Sequence, residues 1–276
     1  MNTAQPHSRS ERSEMVLLLA CSRTNLDPGV SDRIKWLAQS DLDWKYLIDA
    51  ASWHGVLPML CYNLNRACAD AVPPALLQEM QARFRINSAR NLFLAGELLK
   101  ILQFLQNNGI SAVAFKGPLL AAMAYGNPAL RQFYDLDVLV KEKDFPAAKH
   151  LFLAQGYQPW RELTAIEETR HFRSNHAYTL VRSVDGLSLD LHWRITQERY
   201  AFALDVESLW NRLTRTSFCG RDVFSLSPED SLLVLCVHGS KHCWERLAWI
   251  CDVAEVIRAN AGLNWKEIMS RAEALN

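Results

Sequence analysis

The segment Asp135–Val140 (DLDVLV) constrains the fold of this chain more than any other part of the sequence. Aspartate alternates there with leucine and valine, a pattern that is typical of a β-strand. Side chains two residues apart on a strand point to the same face, so Asp135 and Asp137 present two carboxylates side by side. The sequence therefore predicts a strand that carries an acidic pair on an otherwise apolar background.

A second segment, Ala114–Pro118 (AFKGP), precedes this strand and predicts a strand that ends in a turn. Residues 110–115 are strand-like, Pro118 suits the first turn of a helix and Gly126 suits its end, which predicts a short helix over 119–125. A glycine before a helix lets the backbone approach phosphate groups. Two neighbouring carboxylates suit Mg²⁺, which fills its other positions with water and substrate phosphates. Together the two segments indicate nucleotide chemistry.

The composition is that of an ordinary globular protein. The chain has 276 residues, of which 49% are hydrophobic, so it can bury a sizeable core and has room for two domains. Thirty basic residues balance thirty acidic ones, which argues against bulk duplex DNA or an anionic membrane surface as partners but leaves room for a local basic groove. The neutral charge and the lack of a basic run also give little support to a role in RNA modification.

Targeting signals and cysteines point to the cytoplasm. No apolar stretch reaches the roughly 18 residues of a membrane-spanning helix, and the segment MVLLLAC at 15–21 is interpreted as the start of a core helix. Mixed charges before it and the lack of a cleavage site argue against a secretory signal. Seven scattered cysteines without CxxC spacing indicate free, mostly buried thiols of a cytoplasmic protein.

The chain divides into segments that differ in predicted secondary structure. Residues 1–13 form a polar tail that we expect to be disordered, and residues 14–108 are expected to be helical. After a helix-stop signal, residues 109–226 form the predicted α/β core. Residues 227–276 are expected to be helical and stop inside or just after a helix, which suggests that a C-terminal portion is missing. The predicted class is α+β, with helical regions on either side of the core.

A hairpin is predicted around Asp185-Gly186, a strong two-residue turn signal between two apolar segments. A loop of that length pairs Arg182 with Leu189 and collects the apolar side chains of both strands on one face. Asp190 and His192 then project from the opposite face. Asp190 is the third acid that a metal site of this type needs, whereas His192 is expected to be a packing or supporting residue.

The helix that follows residue 227 carries a polar stripe. At 100° per residue, His238, Lys241 and His242 lie on one side of it, where they could contact a triphosphate or a base. The alternative is a solvated surface stripe. Cys236 and Cys243 fall on the side opposite the histidines, so four ligands cannot converge and we do not expect a zinc site.

The order and spacing of these motifs resemble an uncharacterised bacterial family with the nucleotidyltransferase fold. The resemblance covers most of residues 90–260. The matching residues are Lys116-Gly117, Tyr125, Arg131, Asp135–Val140, Asp190–Trp193, His238, Lys241-His242 and the segment from Arg246 to Asp252. The resemblance implies a nucleotidyltransferase-like mixed sheet flanked by N-terminal and C-terminal helical regions.

The resemblance also implies an enzyme that moves an NMP group from an NTP, such as ATP, to a hydroxyl or amine and releases pyrophosphate. Mg²⁺ is the implied cofactor, with two ions during turnover and with Asp135, Asp137 and Asp190 as metal ligands and catalytic residues. The acceptor is an unknown small molecule, protein or RNA. The residues expected to bind the nucleotide are Lys116, Gly117, Arg131, His238, Lys241 and His242.

A non-catalytic module on the same fold is the alternative. It would bind a nucleotide or a protein partner, as an antitoxin-like or biosynthetic accessory protein does. Pro118 favours this alternative, because many active members carry a small residue there and proline has neither an N–H nor a hydroxyl for a phosphate. The three carboxylates favour the enzyme. Arg246 and Asp252 could form an ion pair between helices instead of contacting substrate.

Overall fold

The computed structural model describes residues 12–197, 200 and 204–275. The first helix begins at Ser13, and residues 1–11 of the predicted tail lie outside the described residues. The helices are α1 Ser13–Cys21, α2 Pro28–Ala38, α3 Trp44–Trp53, α4 Leu57–Cys68, α5 Pro74–Asn107, α6 Gly117–Tyr125, α7 Phe145–Ala154, α8 Ala165–Ser174, α9 Val206–Asn211, α10 Pro228–Lys241, α11 Leu247–Ala259 and α12 Trp265–Glu273. The strands are β1 Ala112–Ala114, β2 Asp135–Val140, β3 Tyr157–Pro159, β4 Ala177–Arg182, β5 Ser188–His192, β6 Thr214–Phe218 and β7 Arg221–Ser225.

Strands β1 to β5 form one mixed sheet in the order β1-β2-β5-β4-β3. The central pair, β2 and β5, runs parallel, and the other neighbours run antiparallel. Strands β6 and β7 form a separate hairpin. A mixed sheet with helices before and after it confirms the predicted α+β class.

One face of the sheet forms an apolar core. Leu136, Val138 and Val140 of β2 are fully buried, and they share a hydrophobic cluster with Leu189 and Leu191 of β5 and with the second half of α5. Because side chains alternate along a strand, the aspartates of β2 lie on the other face. Burial of the leucines and valines thus decides which side of the sheet carries the polar residues.

The hairpin of β4 and β5 has a longer loop than predicted. Leu180 lies opposite Leu189, and the last backbone hydrogen bond closes a four-residue loop, 183–186. The predicted register, in which Arg182 faces Leu189, is therefore wrong by two positions. A shift of two residues keeps every side chain on its own face, so Asp190 still projects away from the core.

The helices before and after the sheet share one hydrophobic cluster. Leu17 of α1 and Leu60 of α4 belong to the same cluster as Leu233 of α10, Val256 of α11 and Ile268 of α12. The N-terminal and C-terminal helical segments therefore complete a single core between them. The domain boundaries derived from the sequence stay predictions.

Several helix ends follow the sequence signals. Helix α5 ends at Asn107, Gly126 adopts a left-handed conformation after α6, and the Ser227 side chain accepts a hydrogen bond from the Asp230 N–H at the start of α10. The seven cysteines are free, and four of them are buried. In the part of the chain that the structure describes, no helix combines the length and apolarity that crossing a membrane requires.

The turn between α10 and α11 depends on Gly239. The Trp244 N–H donates to the Gly239 carbonyl at 2.9 Å, and a Cβ at Gly239 would lie only 2.3 Å from Cζ3 of the Trp244 ring. Cys243 and Trp244 have positive φ angles of 52° and 53°, which are uncommon for residues other than glycine. The indole therefore occupies the space that a side chain at Gly239 would need.

We expect Gly239→Ala to lower the free energy of unfolding by about 1–3 kcal/mol, because its Cβ must displace the Trp244 ring from a packed turn. Urea denaturation followed by fluorescence measures this loss. Gly96→Ala is the control: it lies in α5, where a Cβ would meet no atom within 4 Å, so it should be neutral or stabilising by up to about 1 kcal/mol. Equal effects of the two substitutions would contradict the proposed contact.

Candidate active site

All nine residues predicted to form the site line one cavity of about 500 Å³. Residues of β2 and β5, the start of α6, and residues of α10 and α11 surround it. The nine are Lys116, Gly117, Arg131, Asp135, Asp137, Asp190, His238, Lys241 and His242. The structure brings these residues together, while the role of each one stays a prediction.

Parallel pairing of β2 and β5 brings the carboxylates together. Asp137 lies directly opposite Asp190, and Asp135 lies opposite Ser188. One ligand atom from each of Asp137, Asp190 and His192 lies within 4.8 Å of the others. Among the described residues this is the only group of its kind that could hold a metal ion. His192, expected to be a packing or supporting residue, belongs to the acidic cluster.

Asp137 is buried but has two partners. Lys116 Nζ donates to Asp137 Oδ1 at 3.1 Å, and His192 Nε2 lies 3.0 Å from the same oxygen. Burial raises the pKa of Asp137, but Lys116 and His192 outweigh burial and hold that pKa well below its usual range. Asp137 is therefore ionised at neutral pH, and His192 orients it by donating from Nε2.

The pKa of Asp135 is shifted upwards, in contrast to that of Asp137. Burial, followed by the neighbouring charges of Asp137 and Asp190, raises the pKa of Asp135 to about 6, although Lys116 opposes the shift. Three carboxylates crowded against one lysine leave negative charge that a divalent cation would balance. The donor set, carboxylate oxygens on a rigid sheet, fits Mg²⁺.

Lys116 and Gly117 enter the cavity at the start of α6. Gly117 has a φ of +54°, and a Cβ there would lie 3.4 Å from the Asp135 carbonyl oxygen. Glycine avoids backbone strain at this angle. Since Gly117 lines the cavity, the positive N-terminal end of α6 is available to an anion, although Pro118 contributes no N–H to it.

Arg131 is held by a buried ion pair. Its Nε and Nη2 donate to the two carboxylate oxygens of Asp252, each at 2.8 Å, and the Tyr125 hydroxyl donates to Asp252 Oδ1 at 2.6 Å. Burial lowers the pKa of Arg131, but Asp252 outweighs burial and raises it. The remaining Nη1 of Arg131 lies 3.5 Å from the Gly117 carbonyl oxygen. This pair therefore connects α11 to the turn that begins α6.

An ion pair between Arg246 and Asp252, one of the two alternatives for these residues, is not formed. Asp252 is engaged by Arg131, and the Arg246 guanidinium lies over the Trp53 ring, 5.4 Å from its centroid. A bidentate arginine–carboxylate pair is geometrically better than a monodentate one. Asp252 thus pairs with the distant Arg131 and not with Arg246, which lies six residues before it in the sequence.

The wall formed by α10, α11 and the turn between them carries an aromatic cluster. His238, His242 and Trp249 form a ring cluster with centroids 4.8 to 5.7 Å apart. Burial lowers the pKa of both histidines, and the lysines nearby lower it further. The histidines are therefore neutral at pH 7, and Lys241 supplies the positive charge of the predicted stripe.

His176 lines the cavity but was not identified from the sequence. Its Nε2 accepts from Lys241 Nζ at 3.1 Å, and its ring lies 5.6 Å from that of His192. Burial, with the charges of His192 and Lys241, lowers the pKa of His176 to about 3. His176 directly precedes β4, and the observed register places its neighbour Ala177 opposite His192; the register predicted from the turn signal does not.

Comparisons with known proteins identify a family model and remote structural neighbours. A model described as an uncharacterised nucleotidyltransferase matches residues 40–276, while no curated protein matches the chain. The antibiotic-resistance factor ANT(2'')-Ia aligns with a TM-score of 0.46 and 13% identity over 67% of this chain and 91% of its own. The lincosamide antibiotic adenylyltransferase LnuA, solved with lincomycin bound, aligns with a TM-score of 0.38 and 13% identity over 58% of this chain and 94% of its own.

The pKa values of Asp135 and Asp137 are shifted in opposite directions. Replacing each of them by asparagine should therefore change the stability of the metal-free protein, measured in EDTA, in opposite directions. The Asp135 carboxyl binds its proton more tightly in the folded than in the unfolded state, so its contribution to stability is lost as pH rises from about 4 to 6. Asp135→Asn should therefore raise the free energy of unfolding at pH 7 by roughly 1–3 kcal/mol. The gain should shrink towards pH 4.

Asp137→Asn is the matched comparison. The folded-state pKa of Asp137 is depressed, so its contribution is present at pH 7 and is lost only as pH falls below the ordinary aspartate range. This variant should lose about 1–3 kcal/mol at pH 7, because Lys116 and His192 lose a charged partner. Urea denaturation at pH 4 and pH 7 measures both variants, and stability changes of the same sign at pH 7 would contradict the charge distribution.

Proposed function

This chain belongs to the uncharacterised nucleotidyltransferase family, and we propose that it transfers an NMP group from an NTP such as ATP to a hydroxyl or amine of a small molecule. The observation that carries the proposal is the meeting of Asp135, Asp137 and Asp190 with Lys116 and the start of α6 in one cavity. A volume of about 500 Å³ is typical of small-molecule sites. The neutral net charge favours such an acceptor over a nucleic acid.

The three aspartates would hold Mg²⁺ together with the triphosphate. Bound there, Mg²⁺ would balance the charge of the phosphates and would make the acceptor hydroxyl more acidic. His192 keeps Asp137 oriented through its 3.0 Å hydrogen bond, and its ring packs edge-on against Phe115 with centroids 4.9 Å apart. The buried His192 thus fixes one carboxylate before substrate arrives.

Asp190 is the residue that we assign to proton transfer. It lines the cavity beside Asp137 and forms no ion pair among the described residues, so its carboxylate can accept a proton from the acceptor. As that proton leaves, the acceptor oxygen or nitrogen forms a bond to the α-phosphorus. The bond from the α-phosphorus to the bridging oxygen breaks, and its electron pair leaves with pyrophosphate.

Lys116 is assigned to the triphosphate. Its Nζ is already inside the cavity, where it pairs with Asp137. A β- or γ-phosphate oxygen offers the ammonium a second anionic partner, and charge-assisted hydrogen bonds of this kind are among the strongest in proteins. Arg131 is committed to Asp252, so its contribution would be to hold the Gly117 turn in place.

We expect Asp190→Asn to bind Mg²⁺–ATP within a few-fold of wild type but to lose transfer by roughly 10²-fold, equivalent to about 3 kcal/mol of activation free energy. The substitution is nearly isosteric, and the proton acceptor acts in the transition state. Fluorescence titration measures binding, and release of pyrophosphate from each α-³²P-labelled NTP with a panel of acceptors measures transfer. Asp222→Asn, on β7 and outside the cavity, is the control.

Unchanged turnover in Asp190→Asn would remove this residue from the mechanism. Tight Mg²⁺–NTP binding by the wild type without transfer to any acceptor would favour the non-catalytic module. Equal ATP binding in EDTA and in Mg²⁺ would contradict the metal requirement itself.

Lys116→Ala should weaken the binding of Mg²⁺–ATP by about tenfold but that of AMP by less than about threefold, because only ATP places β- and γ-phosphate charge near the ammonium. Titration of tryptophan fluorescence with each nucleotide measures the difference. Lys143→Ala, at an exposed position outside the cavity, should change neither affinity. Equal losses for ATP and AMP would contradict a triphosphate contact by Lys116.

A further inference from the structure

A second cavity of about 320 Å³ lies beside the active-site cavity. Gln132 and Tyr134 line both cavities and therefore form the ridge between them. Tyr134 directly precedes Asp135, so the ridge lies about one residue's length, roughly 3.5 Å along the backbone, from the acidic cluster. We name this second cavity the side cavity; the lining residues that matter here are Arg83, Ile86, Asn87, Arg90, Gln132 and Tyr134.

The side cavity is positively charged. Arg83 and Arg90 line it, and its described lining contains no aspartate or glutamate. Arg83 pairs with Glu79 outside the cavity, whereas Arg90 has no ion pair among the described residues and lies over the Tyr134 ring, 4.6 Å from its centroid. The Cys61 thiol also lines the cavity; burial raises its pKa to about 12, so this thiol is neutral.

The side cavity also offers apolar surface beside its charges. Ile86 and Tyr134 are 61% and 60% exposed, so a flat apolar group can cover both of them. The amide of Asn87 donates to the carbonyl oxygens of Ala129 and Arg131, which fixes α5 against the loop that carries the ridge. The stretch of α5 that carries both arginines is therefore held at a set position relative to the ridge.

The two cavities favour ligand groups of opposite charge, because aspartates line the active-site cavity and arginines line the side cavity. A negative group on an acceptor would be repelled by Asp135 and Asp190, but Arg83 and Arg90 would attract it on the other side of the ridge. We infer that the side cavity binds the non-reacting end of the acceptor and selects molecules in which an anionic group is attached to a hydroxyl-bearing aromatic body. This inference rests on the proposed function and specifies its acceptor class.

Three phenols that differ in the charge of their tail test the inference. They are 3-(4-hydroxyphenyl)propanoate, its uncharged amide and tyramine, titrated by calorimetry into protein saturated with Mg²⁺ and α,β-methylene-ATP, which cannot release pyrophosphate. The propanoate should bind about tenfold more tightly than the amide, and tyramine should bind most weakly. A tenfold difference is what one charge-assisted hydrogen bond supplies.

Arg90→Gln should weaken binding of the propanoate about tenfold, to the level of the amide, and should leave the affinities for the amide and the ATP analogue unchanged. Arg85→Gln is the matched control, because Arg85 lies on the same helix, is exposed and does not line the side cavity. Circular dichroism of both variants checks that α5 is intact.

The outcomes separate the inference from the proposed function. Tyramine binding as tightly as the propanoate, or unchanged propanoate affinity in Arg90→Gln, would overturn the inference alone. Failure of all three phenols to bind protein that binds the ATP analogue normally would do the same. Failure of the analogue itself to bind in the presence of Mg²⁺ would overturn the proposed function and the inference with it.

Discussion

The parallel pairing of β2 with β5 is the constraint on which the candidate site depends. Both strands bury leucine or valine on one face, and the register sets Asp137 opposite Asp190. With a side-chain period of two, this pairing necessarily gathers Asp135 and His192 on the polar face as well. Packing of the core therefore assembles the acidic cluster, and Lys116 offsets part of the repulsion that results.

The faces of the sheet could be predicted from the sequence because they depend on alternation alone. Asp190 illustrates this: the hairpin loop is two residues longer than its turn signal predicts, yet the carboxylate points to the expected side, since only an odd shift would reverse it. Five of the nine candidate residues could be chosen in advance because acids, glycine and lysine stand at recognisable positions along strands and at a helix start. His238, Lys241 and His242 were predicted from a helical stripe, and Arg131 from the resemblance. Their meeting in one cavity follows from the fold.

Pairings between distant segments could not be predicted. Arg131 and Asp252 are separated by 121 residues, and the pair forms because α11 packs against α6, which periodicity within either segment does not reveal. His176 likewise reaches Lys241 across 65 residues, and its place depends on the antiparallel register beside β5. Charge states could not be predicted either. His238 and His242 are neutral because burial lowers their pKa values, and burial is not visible in a helical stripe of the sequence.

The core shared by the first and last helices affects the folding of the chain during translation as well as its final packing. Leu17 and Leu60 share a hydrophobic cluster with Leu233, Val256 and Ile268. The ribosome synthesises the last three after the first two, so the cluster is incomplete until translation nears its end. At about 5–20 residues per second, roughly 10–40 seconds separate translation of α4 from that of α12. During this interval the apolar sides of α1 to α4 are open to other nascent chains and to chaperones. The order of translation, as much as the final packing, thus sets the period in which this protein can aggregate.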